Sequence, residues 1–124
     1  MTWGDGASIE LVETGAVLGC RSVAPPEAGQ PDQPGAVRSF VVRIAPECST
    51  GWHRHDGWQT GIVARGRLRH RTADTVRYYE PGQVLVEEPF VDHEATNVSD
   101  EELVLVFVAA QVEGCPLVTP RPTP

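Results

Sequence analysis

The chain of 124 residues contains no lysine: its ten cations are all arginine, set against 17 acidic residues, for a formal net charge of −7. So little positive charge excludes the phosphate-neutralising face that nucleic acid requires. It also disfavours an anionic membrane surface. Arg65, Arg67, Arg69, Arg71 and Arg77 do gather locally. They read as a solvated outer face that balances the acids, with a handle for an acidic substrate as the functional alternative. Cysteine is scarce as well. Cys20, Cys48 and Cys115 are odd in number and lack C-x-x-C spacing, which excludes a disulfide framework and a zinc knuckle. No apolar run approaches the ~20 residues of a membrane helix. The opening MTWGDGASIE lacks the charged start and apolar run of a secretory signal. The expectation is a single domain, 1–124, in the cytoplasm.

Uninterrupted helix-length windows are also missing, because 12 glycines and 11 prolines punctuate the chain. What remains are short segments rich in Val, Ile, Leu and Phe: 7–18, 37–45, 59–65, 67–72, 75–80, 83–88 and 103–112. Turn residues separate several of them, at Gly66, Ala73-Asp74, Pro81-Gly82 and Ser99-Asp100. Many short, closely spaced strands predict an all-β sandwich or barrel, with its core over about residues 37–112. Proline-rich residues 20–36 are expected to form an exposed loop, and residues 115–124 an extended tail.

His53 and His55 are two residues apart in GWHRHDGWQTGIVARG. On an extended strand i and i+2 share a face, so two imidazoles can reach one ion at ~2.0–2.1 Å. Alone, an H-x-H pair is more often solvated than metal-bound. Gln59 opens the next strand and His93 lies downstream in EEPFVDHEATN. Together the four make a His/His/Gln/His set drawn from two regions. Asp56 is a candidate proton shuttle at the barrel mouth, with a plain turn residue as the alternative. Phe40, Val42, Gly61, Val63 and Phe107 are candidate pocket-lining residues, Gly61 leaving room for a ligand. Asp92 and Glu94 flank His93 and should face away from it, while the facing of His70 stays open.

These residues resemble the two motifs of the cupin superfamily. His53, His55, Gln59 and Gly66 fit the spacing of G-x5-H-x-H-x(3,4)-E-x6-G, with Glu47 at the opening glycine and Gln59 at the glutamate. Gly82, His93 and Asn97 fit G-x5-P-x-G-x2-H-x3-N, with Glu88 and Phe90 at its proline and second glycine. The resemblance implies an antiparallel cupin barrel (a double-stranded β-helix, or jelly roll). It also implies one divalent metal held by His53, His55, Gln59 and His93, a small-molecule substrate and a homodimer. Zinc or iron is expected, with nickel or manganese as further options, since all accept imidazole. Asn97 is expected to hold a turn or a hydrogen bond rather than the metal.

A carboxamide at position 59 leaves a three-histidine centre more electrophilic than a carboxylate would. That favours cyclase, isomerase or lyase chemistry on an enolisable, phenolic or carbonyl substrate. An iron-dependent dioxygenase acting on flavonols or diketones is the alternative, and a non-catalytic metal- or ligand-binding cupin the third reading.

Overall fold

The computed structural model describes residues 2–16, 35–112 and 114–124. They form eleven strands: β1 (Thr2–Trp3), β2 (Asp5–Ala16), β3 (Gly35–Ser49), β4 (His53–Arg54), β5 (Trp58–Arg65), β6 (Leu68–Thr72), β7 (Val76–Tyr79), β8 (Val84–Glu87), β9 (His93–Asn97), β10 (Leu103–Val112) and β11 (Thr119–Pro120). Every strand pairing is antiparallel. The described chain is an all-β, nearly closed barrel, and none of its segments is a helix long and apolar enough to cross a membrane. Most of the expected loop, with Cys20, lies outside the described residues, and residues 35 and 36 at its end already belong to β3.

One wall runs β1-β2-β3-β10-β5-β8 and the other β7-β6-β9-β4-β11. The long β3 joins them, pairing with β2 and β10 along most of its length and with β9 at Ser49↔Thr96. Glu47, near the end of β3, has φ 63°, and Phe90, before β9, has φ 61°. These are the two motif-glycine positions at which this chain carries another residue, and glycine is the residue that reaches this left-handed region without steric cost. The chain keeps both backbone conformations with ordinary side chains, at about 1–2 kcal/mol each.

Alternation places the core. On β5, Gln59, Gly61 and Val63 point inward while Trp58, Thr60 and Ile62 point outward. Phe40, Val42 and Ile44 on β3 and Leu103, Leu105, Phe107 and Ala109 on β10 fill the barrel from the facing strands. Phe40 and Phe107 are cross-strand partners whose rings stack at 5.5 Å. Each such buried side chain contributes about 1.5–3 kcal/mol of transfer free energy. The room beside Gly61 belongs to Phe107: a Cβ at position 61 would fall 2.5 Å from Phe107 Cε1. That glycine therefore lets the aromatic ring pack against the β5 backbone.

Four short strands escape the sequence patterns, for physical reasons. β1, β4 and β11 have two residues each, too few to show a period. β9, HEATN, reads as polar because its inward residues are His93, Ala95 and Asn97. The tail is fastened: Thr119 and Pro120 pair with Arg54 and His53, the Arg121 amide donates to the Trp52 carbonyl at 2.9 Å, and Leu117 and Val118 pack on the core.

Candidate metal centre

His53 and His93 are cross-strand partners on β4 and β9, and His55 follows β4 by one residue. One ring nitrogen from each of His53, His55 and His93 lies within 4.8 Å of the others, and all three residues are buried. The ring centroids are 4.3 Å apart for His53–His93 and 4.9 Å for His53–His55 and His55–His93. Backbone carbonyls orient the rings. His53 Nδ1 reaches Gly51 O at 2.9 Å, His55 Nδ1 reaches Leu117 O at 2.6 Å and His93 Nδ1 reaches Val91 O at 3.1 Å. A carbonyl only accepts, so each Nδ1 carries the proton and each Nε2 keeps its lone pair. Fixing the tautomer through the outer nitrogen is how ligating histidines are prepared.

The structure adds a carboxylate that the sequence reading missed. Glu87, the last residue of β8, is the direct partner of Gln59 on β5. It turns inward and is 5% exposed. Its Oε2 lies 2.9 Å from His93 Nε2 and 2.9 Å from His70 Nε2, and its Oε1 lies 3.5 Å from His55 Nε2. Burial by itself would raise the Glu87 carboxyl. The imidazoles of His93, His55 and His70 around it outweigh that and hold it well below its usual 4.5. His70, whose facing the sequence left open, points inward, stacks on His93 at 4.8 Å and bonds to Glu87.

Does a divalent cation fit these residues? His55 Nε2 and His93 Nε2 are buried without a hydrogen-bond donor or acceptor in proper geometry. They nevertheless face an anionic oxygen. Two lone pairs at 2.9 Å repel unless positive charge lies between them, either as a second imidazole proton or as a metal ion. Charging the whole group is opposed: burial, then the like charges of His93 and His55, push His53 from 6.5 down to about 2. Three neutral imidazoles and one carboxylate make a donor set suited to zinc, iron or a similar ion.

Gln59 is buried on the inward face of β5, beside His53 and Glu87, around an enclosed space of about 10 Å³. That is room for about one water. Its Nε2 has no hydrogen-bond partner among the described residues. The carboxylate lacking at position 59 is thus supplied from the neighbouring strand at 87. A divalent ion here would carry a net charge of +1, not the +2 of a three-histidine and glutamine set. Asp56 is half-buried in its turn, where burial and then the Asp56 charge raise the Cys115 thiol, and no hydrogen bond or ion pair ties Asp56 to the histidines. Phe40, Val42 and Phe107 line the small enclosed space and Val63 lies in the core. Asp92 and Glu94 face away, holding Arg121 and Arg71. Buried Asn97 donates to Ile44 O and Glu101 O and accepts from Ser99, fixing the turn after β9.

The cluster opens to solvent through a cleft of about 470 Å³. His70, Glu87 and His93 form its floor, and Thr72, Thr75, Arg77, Tyr79, Val86, Glu88 and Val91 complete the lining.

A jelly-roll barrel with a histidine and carboxylate centre at the base of a cleft defines a metal-binding barrel protein. The family model described as "Cupin domain" matches residues 40–109, more than half the chain, and the protein belongs to the cupin family. No curated protein matches the chain in sequence. Among solved structures it is similar to a cupin domain protein of Bordetella pertussis Tohama I, with 19% identity, 90% of this chain and 98% of that one covered, and a TM-score of 0.59. It is similar to an oxalate oxidase at 17% identity, covering 93% of this chain and 55% of that one, with a TM-score of 0.65. A chain from a structure of DMSP lyases matches at 22% identity over 63% of this chain and 40% of that one, with a TM-score of 0.55. The chain therefore spans about half the length of the two enzymes or less. At these identities the likeness is one of fold.

Proposed function

We propose that the protein is a metal-dependent enzyme acting on a small carbonyl-bearing or enolisable substrate, by lyase or isomerase chemistry. One observation carries the reading: three oriented imidazoles and a buried carboxylate converge, and two of these groups, His93 and Glu87, reach the floor of an open cleft. His53, His55, His93 and Glu87 would hold the ion, and Gln59 would border it. When bound, the ion supplies Lewis acidity towards a substrate oxygen.

The chain's own residues do the rest. His70 faces the cleft and shares its Nε2 proton with Glu87, so this pair can take a proton from a substrate carbon or hydroxyl and return it elsewhere. The apolar residues behind the centre exclude water from its inner side. An iron-dependent dioxygenase is the second reading, and Glu87 favours it. The carboxylate that position 59 lacks stands one strand away at Glu87, where it could act as a resident base.

Elemental analysis of the purified protein, followed by oxygen-electrode traces of the iron-loaded form with enolisable phenols and diketones, tests both readings. Near-stoichiometric metal without oxygen uptake is the expected result. Substrate-dependent uptake would replace lyase chemistry with the dioxygenase, and absence of any bound divalent metal would end both. His93→Ala and Glu87→Gln should each weaken metal binding about tenfold to hundredfold or more. Gln59→Glu should leave affinity within about threefold if Glu87 already supplies the carboxylate. A large gain would make position 59 a ligand.

A further inference from the structure

Each arginine of the described chain except one is engaged. Arg43, Arg65, Arg67, Arg71 and Arg121 pair with carboxylates. Arg38 and Arg69 hydrogen-bond to oxygen acceptors, and Arg54 lies over the Phe90 ring. Among the described arginines only Arg77 has a side chain with no hydrogen bond, ion pair or ring contact, although the chain carries a large acidic excess. It is also the arginine that lines the cleft.

Strand register explains its placement. On the β6–β7 hairpin Arg77 is the direct partner of His70, and Tyr79 is the partner of Leu68. Paired residues share a face, with Cβ atoms about 4.5–5.5 Å apart. His70 and Leu68 are inward residues. Arg77 and Tyr79 therefore belong to the inward row of β7, with Arg77 carried out to the solvent end of the cleft. From Arg77 the line runs to His70, then to Glu87 and His93. Glu87 and Glu88 are the carboxylates of the lining, and neither forms an ion pair with Arg77.

We infer that Arg77 is the anion subsite of this cleft, and that the substrate is a small carboxylic acid. Its carboxylate docks on Arg77 while its oxygen-bearing other end lies against the His53, His55, His93 and Glu87 centre. This rests on the metal-centre reading above and names its substrate class. A guanidinium offers two parallel donors that match a carboxylate. A single unpaired cation suits a monoanion, and its place in the same cleft as the centre sets which end of the acid meets the metal. Residues Thr72 and Thr75 hydrogen-bond to one another at 2.8 Å and hold the hairpin turn that presents Arg77.

The test uses the full chain loaded with cobalt(II), whose visible spectrum reports on ligands near the ion. Titrations with pyruvate, with uncharged pyruvamide and with inorganic phosphate compare the wild type with Arg77→Gln and Arg77→Lys. Calorimetry of pyruvate with the metal-free chain is the second readout. Pyruvate should perturb the wild-type spectrum at concentrations about tenfold or more below those of pyruvamide. Arg77→Gln should remove that preference while cobalt uptake is unchanged, and Arg77→Lys should keep part of it. Glu88→Gln should leave or strengthen pyruvate binding.

Equal pyruvate affinity in wild type and Arg77→Gln overturns the subsite, and so does a preference for phosphate over pyruvate. Failure of cobalt to bind defeats the metal reading instead. In that case, Arg77-dependent pyruvate binding by calorimetry upholds the anion subsite on its own, and its absence overturns it.

Discussion

Along β3, β5 and β10 the barrel interior is filled by Phe40, Ile44, Val63, Leu105 and Phe107, whereas along β4, β6, β8 and β9 it is filled by His53, His70, Glu87 and His93. Both halves are buried on the same hydrogen-bonded frame. The aliphatic half needs only shape: its side chains have no polar group to satisfy, and its contribution follows the area removed from water. The histidine half carries polar atoms whose desolvation is unfavourable unless each finds a partner. Its outer nitrogens find backbone carbonyls, while its inner nitrogens face a carboxylate and one another. One half is finished when the chain folds, and on the proposed reading the other would be finished by an ion. The difference separates stability from chemistry inside one barrel.

Deleting the aromatic stack gives the largest expected contrast. Phe107→Ala removes a ring that packs on Phe40 and on the bare backbone at Gly61, and should cost about 3–5 kcal/mol in urea unfolding. The loss should be the same with zinc or with a chelator present. A loss that changes with metal would mean that the two halves are coupled, and the division drawn above would fail. Adding metal is the reciprocal experiment. At about a hundredfold excess over its dissociation constant, zinc should stabilise the wild type by about 2.7 kcal/mol. The same addition should do nothing for His93→Ala. Equal stabilisation of both would place the ion elsewhere.

The two halves were unequally legible in the sequence. His53, His55 and His93 could be found because motif spacing names them, and strand parity puts the first two on one face. Phe40, Val42 and Phe107 followed from alternation within apolar strands. Glu87 was invisible for a specific reason. In VLVEE one row is Val84, Val86 and Glu88 and the other is Leu85 and Glu87, so two valines against one leucine favour burying the valine row. The barrel does the opposite, leaving Val84 55% and Val86 58% exposed. Only the pairing of Glu87 with Gln59, a long-range fact, fixes the phase. His70 was ambiguous in the same way, because LRHRT has polar residues on both rows. Glu47 and Phe90 teach a complementary lesson: both keep the left-handed turn at a motif glycine, so the motif's geometry outlives its residue.

Acid should separate the halves once more, with a smaller effect. His53 titrates at about 2 in the fold against 6.5 when unperturbed, because burial and then its neighbours His93 and His55 oppose its charged form. A depressed histidine favours folding while it is neutral. Its contribution is complete above 6.5 and is lost as the pH falls towards 2. Between about pH 7 and about pH 5 one such group costs about 2 kcal/mol, a figure that does not depend on how far below pH 5 the folded value lies. Glu87 acts in the same direction but later. Its folded value is below 4.5, so its contribution is present above 4.5 and is lost below it. Thermal melts of the metal-free chain should therefore fall from about pH 7 to about pH 5 and again in stronger acid. His53→Asn, which has nothing to titrate at that position, should flatten the first step while Phe107→Ala keeps it. In the zinc-loaded protein the decline should be steeper, because protons also displace the ion from its imidazoles. A wild-type melt that is level over the first step would mean that His53 takes up its proton inside the fold, and the picture of three buried neutral imidazoles would have to be withdrawn.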